Sequence, residues 1–251
     1  MTVRVAMWSG PRNISTAMMR AWEHRGDCAV SDEPLYAHYL AETGLDHPGA
    51  DEVIATGETD WRRVIDGLLG PAPEGRPVWY QKHMTHHLLP HMDRGWIAGL
   101  RNVLLIRDPR EVVASYVKSR AEVTAEDIGL PQQVALHEAL CAAGDPPPVI
   151  DAGDFLRAPG AYLRALCAWL GIAFTDRMLR WPPGPRASDG IWAPHWYARV
   201  WASTGFETPE EPPGAPALSG HPAEVAAACM PSYRRLHDAR MLLDGSEAVA
   251  G

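Results

Sequence analysis

An arginine and a serine eight residues apart, Arg107 and Ser115, are suited to hold one anion between them. A short apolar run from Val103 to Ile106 comes directly before Arg107 and is typical of a buried parallel strand. Pro109 then fits the first turn of a helix, where the missing N–H group costs nothing. The guanidinium at the strand end and the hydroxyl about two turns into the helix are therefore predicted to converge on a phosphate.

A second pattern of this kind lies near the N-terminus. The strand-like run Val3 to Trp8 is followed by the turn Ser9-Gly10-Pro11-Arg12-Asn13-Ile14-Ser15-Thr16 and then by a helical pattern to Trp22. Helix N-termini present unpaired N–H groups and a partial positive charge, so they bind phosphate readily. The turn lacks the Gly-Lys pair of a Walker A motif, which disfavours an ordinary ATP or GTP enzyme.

Together the two segments resemble the nucleotide-binding signatures of the sulfotransferases that use 3′-phosphoadenylyl sulfate (PAPS). In that family a Pro-Lys/Arg-Ser-Gly-Thr-Thr turn holds the 5′-phosphosulfate, and an Arg-x-Pro segment with a Ser eight residues after the Arg holds the 3′-phosphate. The matching residues are Pro11, Arg12, Ser15 and Thr16 in the first signature and Arg107, Pro109 and Ser115 in the second. Asn13 and Ile14 depart from the first signature, and Ile14 stands where the family usually has Gly. The similarity covers roughly residues 1–175.

The resemblance implies PAPS as co-substrate, no required metal, and a small-molecule acceptor with a hydroxyl or an amine. It implies a nucleotide site made of Arg12, Asn13, Ser15, Thr16, Arg107 and Ser115. In this family a late loop also folds over the nucleotide. Arg186 and Gly190 are the candidates for that lid, and an ordinary surface loop is the alternative.

Sulfuryl transfer requires a cation against the charge that develops on the leaving phosphate, and a base for the acceptor proton. Arg12 is the expected cation and would act by charge stabilisation alone, because a guanidinium does not give up its proton; Lys82 or His83 would supplement it. Two residues are candidates for the base. Glu33 follows the second strand, where some bacterial members use a Glu, and its alternative role is to cap the next helix. His83 lies near the Lys-x-His of animal members, and its alternative is a buried, hydrogen-bonded histidine.

Strand-like and helical segments alternate along the chain, which favours a parallel sheet with helices on both faces and ligands at the carboxyl ends of the strands. We therefore predict an α/β fold of P-loop type, with three layers and a central sheet of about five strands, in one domain over residues 1–251. A Pro- and Trp-rich loop region is expected over 181–222 and a final helix over 222–243. Four aromatic residues in that region line the acceptor pocket or pack in the core: Trp192, Trp196, Tyr197 and Trp201. The other strands are predicted at 28–31, 77–81 and 148–151, and the other helices at 61–69, 132–143 and 161–170.

The net charge of −8 argues against nucleic acid and anionic membranes as partners. Four scattered cysteines favour reduced thiols in a cytoplasmic protein, and the chain shows neither a long apolar run nor a signal peptide. Histidines at 83, 87 and 91 have helical spacing that can bind zinc, but a solvated helix face is the preferred interpretation, so no metal site is predicted. Nothing in the sequence distinguishes a monomer from a homodimer.

Two other functions are compatible with the pattern. One is a P-loop-related phosphotransferase, for which Asp151 and Asp154 would supply acidic groups at a strand end. The other is a non-catalytic nucleotide-binding module, which would result if Ile14 spoils the 5′ site while the 3′ site remains.

Overall fold

Five parallel strands form the central sheet of the computed structural model, which describes residues 2–118, 122–207 and 216–243. The strands are β1 (Val3–Ser9), β2 (Cys28–Asp32), β3 (Val78–Met84), β4 (Arg101–Ile106) and β5 (Val149–Asp151). Their order is β2-β3-β1-β4-β5, and each neighbouring pair is parallel. The predicted α/β fold with a parallel sheet of about five strands is confirmed.

Successive residues of the central strands pack into two different hydrophobic cores. On β1, Trp8 belongs to one core and Met7 to the other, and Leu104 and Leu105 of β4 divide in the same way. Side chains alternate between the two faces of a strand, so both faces of this sheet are covered by helices. This explains why these strands are almost continuously apolar in sequence.

Twelve α-helices surround the sheet within the described ranges. They are α1 (Ser15–His24), α2 (Tyr36–Thr43), α3 (Ala50–Thr56), α4 (Trp61–Leu69), α5 (Pro109–Tyr116), α6 (Ala125–Ile128), α7 (Leu130–Ala142), α8 (Ala152–Arg157), α9 (Pro159–Leu170), α10 (Ala193–Trp196), α11 (Ala198–Ala202) and α12 (Gly220–Asp238). The predicted final helix thus starts two residues early and ends at Asp238 instead of 243. The loop region expected over 181–222 contains two short helices, α10 and α11, and Pro194 fits the first turn of α10. Residues 208–215 of that region lie outside the described part.

The sheet places a crevice between β1 and β4. The chain leaves β1 towards β2 on one side and leaves β4 towards β5 on the other. Where connections from neighbouring strands depart in opposite directions, a crevice opens at the carboxyl ends of those strands. The turn after β1 and Arg107 after β4 both lie there, which brings together two segments almost a hundred residues apart.

The acidic groups after β5 serve to hold α8 and the C-terminal segment. Asp151 accepts a hydrogen bond from the Asp154 backbone at 3.0 Å and one from the Tyr233 hydroxyl at 2.9 Å. Asp154 in turn accepts from Arg240 Nε at 2.7 Å. Both carboxylates therefore have a structural role, and Asp151 and Asp154 no longer support a phosphotransferase.

Candidate active site

A cavity of about 280 Å³ lies at the carboxyl ends of the strands. Its walls come from four strand ends or turns and from the segment around α10 and α11. Six of the predicted site residues line it: Arg12, Asn13, Ser15, Thr16, Arg107 and Ser115. Glu33 lines it as well, from the end of β2.

The turn after β1 is held in place by Gly10 and Asn13. A Cβ atom at Gly10 would lie 2.2 Å from the Ile128 carbonyl oxygen, so only glycine permits this approach. Asn13 donates to the Leu105 carbonyl at 3.1 Å and accepts from the Ile14 amide at 2.8 Å, which ties the turn to β4. Ile14 itself has an ordinary φ of −83° and packs its side chain against the core, so its backbone does not require a glycine.

The two sequence signatures meet through direct hydrogen bonds. Arg12 Nε donates to Ser115 Oγ at 3.0 Å, and an Arg107 terminal nitrogen donates to the Arg12 carbonyl at 2.9 Å. Arg12 has a φ of +53°, which is uncommon for a residue other than glycine. The bond from Arg107 therefore helps to hold Arg12 in a strained backbone conformation, with its guanidinium directed to the cavity wall.

Three guanidinium groups surround the same cavity. The third belongs to Arg199 of α11, which sequence reasoning missed. Burial lowers the pKa of Arg12, and the positive charges of Arg107 and Arg199 lower it further. Ser15 and Thr16 lie beside these groups at the start of α1, and neither hydroxyl has a hydrogen-bond partner within the described residues. Such a set of charges and donors is suited to an anion with several negative charges.

A buried ion cluster forms another part of the cavity wall. Lys82 is 1% exposed, and its ammonium donates to Glu33 Oε1 at 2.7 Å, to Asp32 Oδ1 at 2.8 Å and to the Tyr197 hydroxyl at 2.6 Å. The three protons of the ammonium are thus all used. Glu33 has a φ of +44°, so it is a second strained residue on the cavity wall.

The electrostatics of this cluster suit Glu33 to accept a proton. Burial raises the pKa of Glu33, and the charge of Lys82 only partly opposes that rise. Burial alone would lower the pKa of Lys82, but Asp32 and Glu33 outweigh this effect and raise it well above its ordinary value. Lys82 therefore stays cationic, while Glu33 is a more basic carboxylate than usual.

His83 does not lie with the other predicted catalytic residues. It is the neighbour of Lys82 on β3, so its side chain points to the opposite face of the sheet. Its ring stacks on Trp8 with 4.2 Å between ring centroids, and its Nε2 lies 3.3 Å from Gln81 Oε1. It is 1% exposed, and burial lowers its pKa to about 3. The structure thus matches the alternative role of a buried, hydrogen-bonded histidine.

Arg186 and Gly190, the two predicted lid residues, also lie outside the cavity wall. The Arg186 guanidinium donates to the carbonyls of Pro182 and Pro185, and its Nε lies 3.7 Å from a Glu23 carboxylate oxygen. The Gly190 amide donates to Asp32 at 3.0 Å. These contacts dock the loop on the protein. The residues of this region that reach the cavity come later in the chain and include Trp192, Trp196, Tyr197, Arg199 and Glu207.

Part of the cavity wall is aromatic, with Tyr36, Trp192 and the imidazoles of His86 and His87. The Tyr36 ring stacks on His87 with 5.0 Å between centroids and meets Trp192 edge-on at 4.9 Å. The Tyr36 hydroxyl lies 2.7 Å from His47 Nδ1. Burial lowers the pKa of His86 to about 4 and that of His87 well below its ordinary value, so both imidazoles are neutral at pH 7. Of the aromatic residues predicted here, Trp201 alone does not line the cavity and donates to Asp189 at 3.0 Å.

The histidine spacing does not correspond to a metal site. His83 lies in β3 and residues 85–87 form a short 3-10 turn, so the expected single helix face does not exist. Within residues 2–118, 122–207 and 216–243, no three His, Cys, Asp or Glu side chains are grouped to hold a metal ion. In the same part of the chain, none of the helices has the length and apolar character needed to cross a membrane.

Comparison with known proteins gives the class to which this fold and site belong. The family model of the sulfotransferase domain matches residues 3–240. The chain therefore belongs to the sulfotransferase family.

Solved structures of sulfotransferases share the fold over nearly the whole chain. A sulfotransferase from Alicyclobacillus acidocaldarius aligns with a TM-score of 0.52 and 13% identity, over 96% of this chain and 98% of that one. The sulfotransferase domain from the curacin biosynthetic pathway aligns with a TM-score of 0.50 and 14% identity, over 92% of this chain and 98% of that one. At such low identity these structures support the fold alone.

Two curated proteins from Arabidopsis thaliana are closer in sequence. Branched-chain-amino-acid aminotransferase-like protein 2 is 36% identical over 230 residues, which is 91% of this chain and 40% of the relative. Branched-chain-amino-acid aminotransferase-like protein 1 is 38% identical over 207 residues, which is 82% of this chain and 37% of the relative. The chain thus spans about two fifths of the length of these relatives.

Proposed function

We propose that this sulfotransferase uses PAPS as donor and transfers its sulfuryl group to a small hydroxyl compound. The observation that supports this most strongly is the set of three guanidiniums around one cavity, from Arg12, Arg107 and Arg199. Burial lowers the pKa of Arg12, and the positive charges of Arg107 and Arg199 lower it further, so an anion bound beside Arg12 would stabilise its charged form. A ligand with two phosphate groups and a sulfate would supply such an anion.

The chain offers separate residues for the two charged ends of such a nucleotide. Arg12, Ser15 and Thr16 lie at the turn after β1 and would hold the phosphosulfate end. Arg107 and Ser115 would hold the 3′-phosphate, and Arg199 is the candidate lid contact in place of Arg186. Asn13 would contribute by holding the turn in shape, since its amide is bonded to β4 and to Ile14. When bound, PAPS supplies a sulfuryl group on a phosphate leaving group.

Arg12 and Glu33, which both line the cavity, are the proposed catalytic residues. The guanidinium of Arg12 would stabilise negative charge on the leaving phosphate oxygen and would keep its own proton. The Glu33 carboxylate would take the proton of the acceptor hydroxyl. Burial raises the pKa of Glu33, which makes it a better base, and Lys82 keeps it ionised. No residue of the chain needs a metal ion for these two roles.

The acceptor is proposed to be uncharged and to carry a flat ring beside its hydroxyl. The wall near Glu33 consists of Tyr36, His87 and Trp192, whose rings pack against one another, with a neutral imidazole among them. Rings of this kind bind the face of another ring, while a cationic amine would meet carboxylates that are already paired, Glu33 with Lys82 and Glu207 with Arg199. A flat hydroxyl compound is therefore favoured over an aliphatic amine.

Donor binding is tested first by calorimetric titration with 3′-phosphoadenosine 5′-phosphate (PAP), beside AMP and beside ATP with Mg²⁺. We expect micromolar binding of PAP and much weaker binding of AMP, because AMP lacks the 3′-phosphate. A preference for ATP with Mg²⁺, or no binding of PAP, would contradict PAPS as the donor.

Catalysis is tested by mixing the protein with PAPS and a panel of acceptors that includes phenols, aliphatic alcohols and amines. Glu33→Gln should lower turnover at least about a hundredfold, as expected for loss of a general base, and should leave PAP affinity unchanged. Glu42→Gln, on the exposed end of α2, is the matched control and should behave as the native protein. PAP binding without any turnover in the native protein would indicate a non-catalytic nucleotide-binding module.

A further inference from the structure

Tyr197 joins the segment around α10 and α11 to the ion cluster at the end of β2. Its hydroxyl donates to Asp32 Oδ2 at 2.7 Å and accepts from Lys82 at 2.6 Å. The Lys82 ammonium also lies 4.8 Å from the centre of the Tyr197 ring. Tyr197 therefore contacts Lys82, the cation of the Lys82–Glu33 ion pair, and also Asp32, the second carboxylate bound to that cation.

The same segment is fastened to the protein at two further points. The Gly190 amide donates to Asp32 at 3.0 Å, and Asp189 forms an ion pair with the buried Arg20 of α1. Two residues after Tyr197, Arg199 lines the cavity among the guanidiniums proposed to hold the nucleotide. The segment from 189 to 199 thus runs from α1, past the ion cluster, to the anion-binding wall.

Asp32 and Glu33 compete for a single cation. Lys82 has 2.8 Å to Asp32 and 2.7 Å to Glu33, and both carboxylates are shielded from water. Asp32 receives additional hydrogen bonds from Tyr197 and Gly190, while Glu33 accepts from Lys82, and the Tyr197 hydroxyl lowers the pKa of Glu33. The two donors from the segment satisfy Asp32 and so leave more of the Lys82 charge to Glu33.

We propose that Tyr197 is a positioning residue, which couples the seating of segment 189–199 over the cavity to the placement and ionisation of the Glu33 carboxylate. This inference rests on the proposed function of Glu33 as the base. With the segment seated, Tyr197 holds Asp32 and Lys82 so that the ammonium remains against Glu33. With the segment displaced, Asp32 takes a larger share of Lys82, and Glu33 becomes a protonated acid that cannot accept a proton. Glu33 can then act as a base only when segment 189–199 is seated and Arg199 completes the anion-binding wall.

Two substitutions should shift the proton affinity of Glu33 in opposite directions. The groups that face Glu33 are Asp32 from its own strand end, Lys82 from β3 and Tyr197 from the junction of α10 and α11. Tyr197 lowers the pKa of Glu33 and Asp32 raises it. Tyr197→Phe keeps the ring over Lys82 and removes the hydroxyl, so the pKa should rise. Asp32→Asn removes the competing anion but keeps an oxygen for Tyr197 and Gly190, so the pKa should fall.

The experiment is a titration of the Glu33 carboxyl by ¹³C NMR in protein labelled at glutamate, with Glu33→Gln used to assign the signal. Tyr233→Phe is the matched control, because it also removes a tyrosine hydroxyl bonded to a buried aspartate, 2.9 Å from Asp151, away from the cavity wall. We expect Tyr197→Phe to move the titration midpoint up, Asp32→Asn to move it down, and Tyr233→Phe to leave it in place. Midpoints that stay fixed, or that move in the same direction in both variants, would overturn the proposal.

A kinetic measurement uses water as the acceptor and needs no identified substrate. In a single turnover, water attacks sulfur, the bond from sulfur to the phosphate oxygen breaks, Glu33 takes a proton from the water, and PAP and sulfate are released. Tyr197→Phe should slow this step about tenfold, which is the usual effect of one lost hydrogen bond to a charged group. The acid limb of its pH profile should move to higher pH, with PAP affinity unchanged. A slower rate with no shift of the limb would indicate a merely structural role.

The identity of the donor and the positioning role of Tyr197 are tested by different readouts. If the protein does not bind PAP, the proposed donor is wrong, but the NMR midpoints still report whether Tyr197 controls Glu33. If PAP binds and PAPS is broken down with unshifted midpoints, the donor is right and the positioning role is refuted.

Discussion

Arg107→Ala is the substitution that tests the proposed nucleotide site most directly. The Arg107 side chain is 28% exposed and lines the cavity, with one nitrogen bonded to the Arg12 carbonyl and its Nε bonded to Glu111. Loss of a hydrogen bond between charged groups costs about 1.5–3 kcal/mol. PAP affinity should therefore fall about 10- to 150-fold at 25 °C.

AMP and Arg110→Ala provide the controls. AMP lacks the 3′-phosphate, so Arg107→Ala should weaken AMP binding much less than it weakens PAP binding. Arg110 is the neighbouring arginine on α5, but its side chain is 46% exposed, pairs with Asp108 and does not line the cavity. Exposed ion pairs of this type contribute about 0–1 kcal/mol, so Arg110→Ala should leave PAP affinity nearly unchanged.

Glu111→Gln should have the opposite sign. The Glu111 carboxylate lies 2.8 Å from Arg107 Nε and would compete with the 3′-phosphate for the same guanidinium. Removing this negative charge should tighten PAP binding about two- to fivefold, in line with a partly exposed ion pair of roughly 0.4–1 kcal/mol.

The assay is isothermal titration of each variant with PAP and with AMP at 0.1 M salt, together with a thermal melt to verify folding. If Arg107→Ala weakens both ligands equally, the side chain shapes the turn through Arg12 and does not bind the 3′-phosphate. If Glu111→Gln weakens PAP binding, the carboxylate orients Arg107 for the phosphate, and the competition described here is refuted.

Three further predictions concern Arg12, His83 and Gly190. Arg12→Ala should lower the single-turnover rate about 100- to 1,000-fold, as for other residues that stabilise developing charge, and should weaken PAP binding far less; equal losses would make Arg12 a binding residue only. The folded-state pKa of His83 is about 3, so below pH 6.5 the unfolded chain takes up a proton that the folded protein refuses, and stability falls as pH falls. His83→Phe should remove about 2 kcal/mol of the loss in unfolding free energy between pH 7 and pH 5, measured by urea denaturation. Gly190→Ala would place a Cβ atom 2.1 Å from the Trp192 ring, so it should displace that ring and raise the KM for the acceptor more than that for PAPS, in steady-state kinetics.

Much of the geometry of the proposed nucleotide site could be predicted because it depends on local patterns. Each of the two segments is a strand followed by a turn and a helix, and these features can be recognised in a short stretch of sequence. Their meeting at one crevice follows from parallel strands with neighbouring carboxyl ends. The contacts between Arg12, Arg107 and Ser115 are therefore within reach of sequence reasoning.

The rest of the site depends on contacts between residues distant in sequence. Arg199 belongs to no recognisable sequence motif, and it reaches the cavity only because of the path that the chain takes after β5. Tyr197 meets Lys82 across more than a hundred residues. The position of His83 could have been predicted. Adjacent residues of a strand face opposite sides of the sheet, so Lys82 and His83 could not both reach the site.

Arg12 and Glu33 share a backbone conformation that most residues avoid, with φ values of +53° and +44°. For a residue with a side chain, this region is disfavoured by roughly 1–2 kcal/mol, and glycine or asparagine would relieve much of that strain. Replacing Arg12 would also remove repulsion from two neighbouring cations. Laboratory selection for heat resistance would therefore be drawn to these two positions, and the variants it enriched are expected to melt later and to transfer sulfate at least about a hundredfold more slowly. The protein gives up thermal stability at the two positions where its chemistry is proposed to take place.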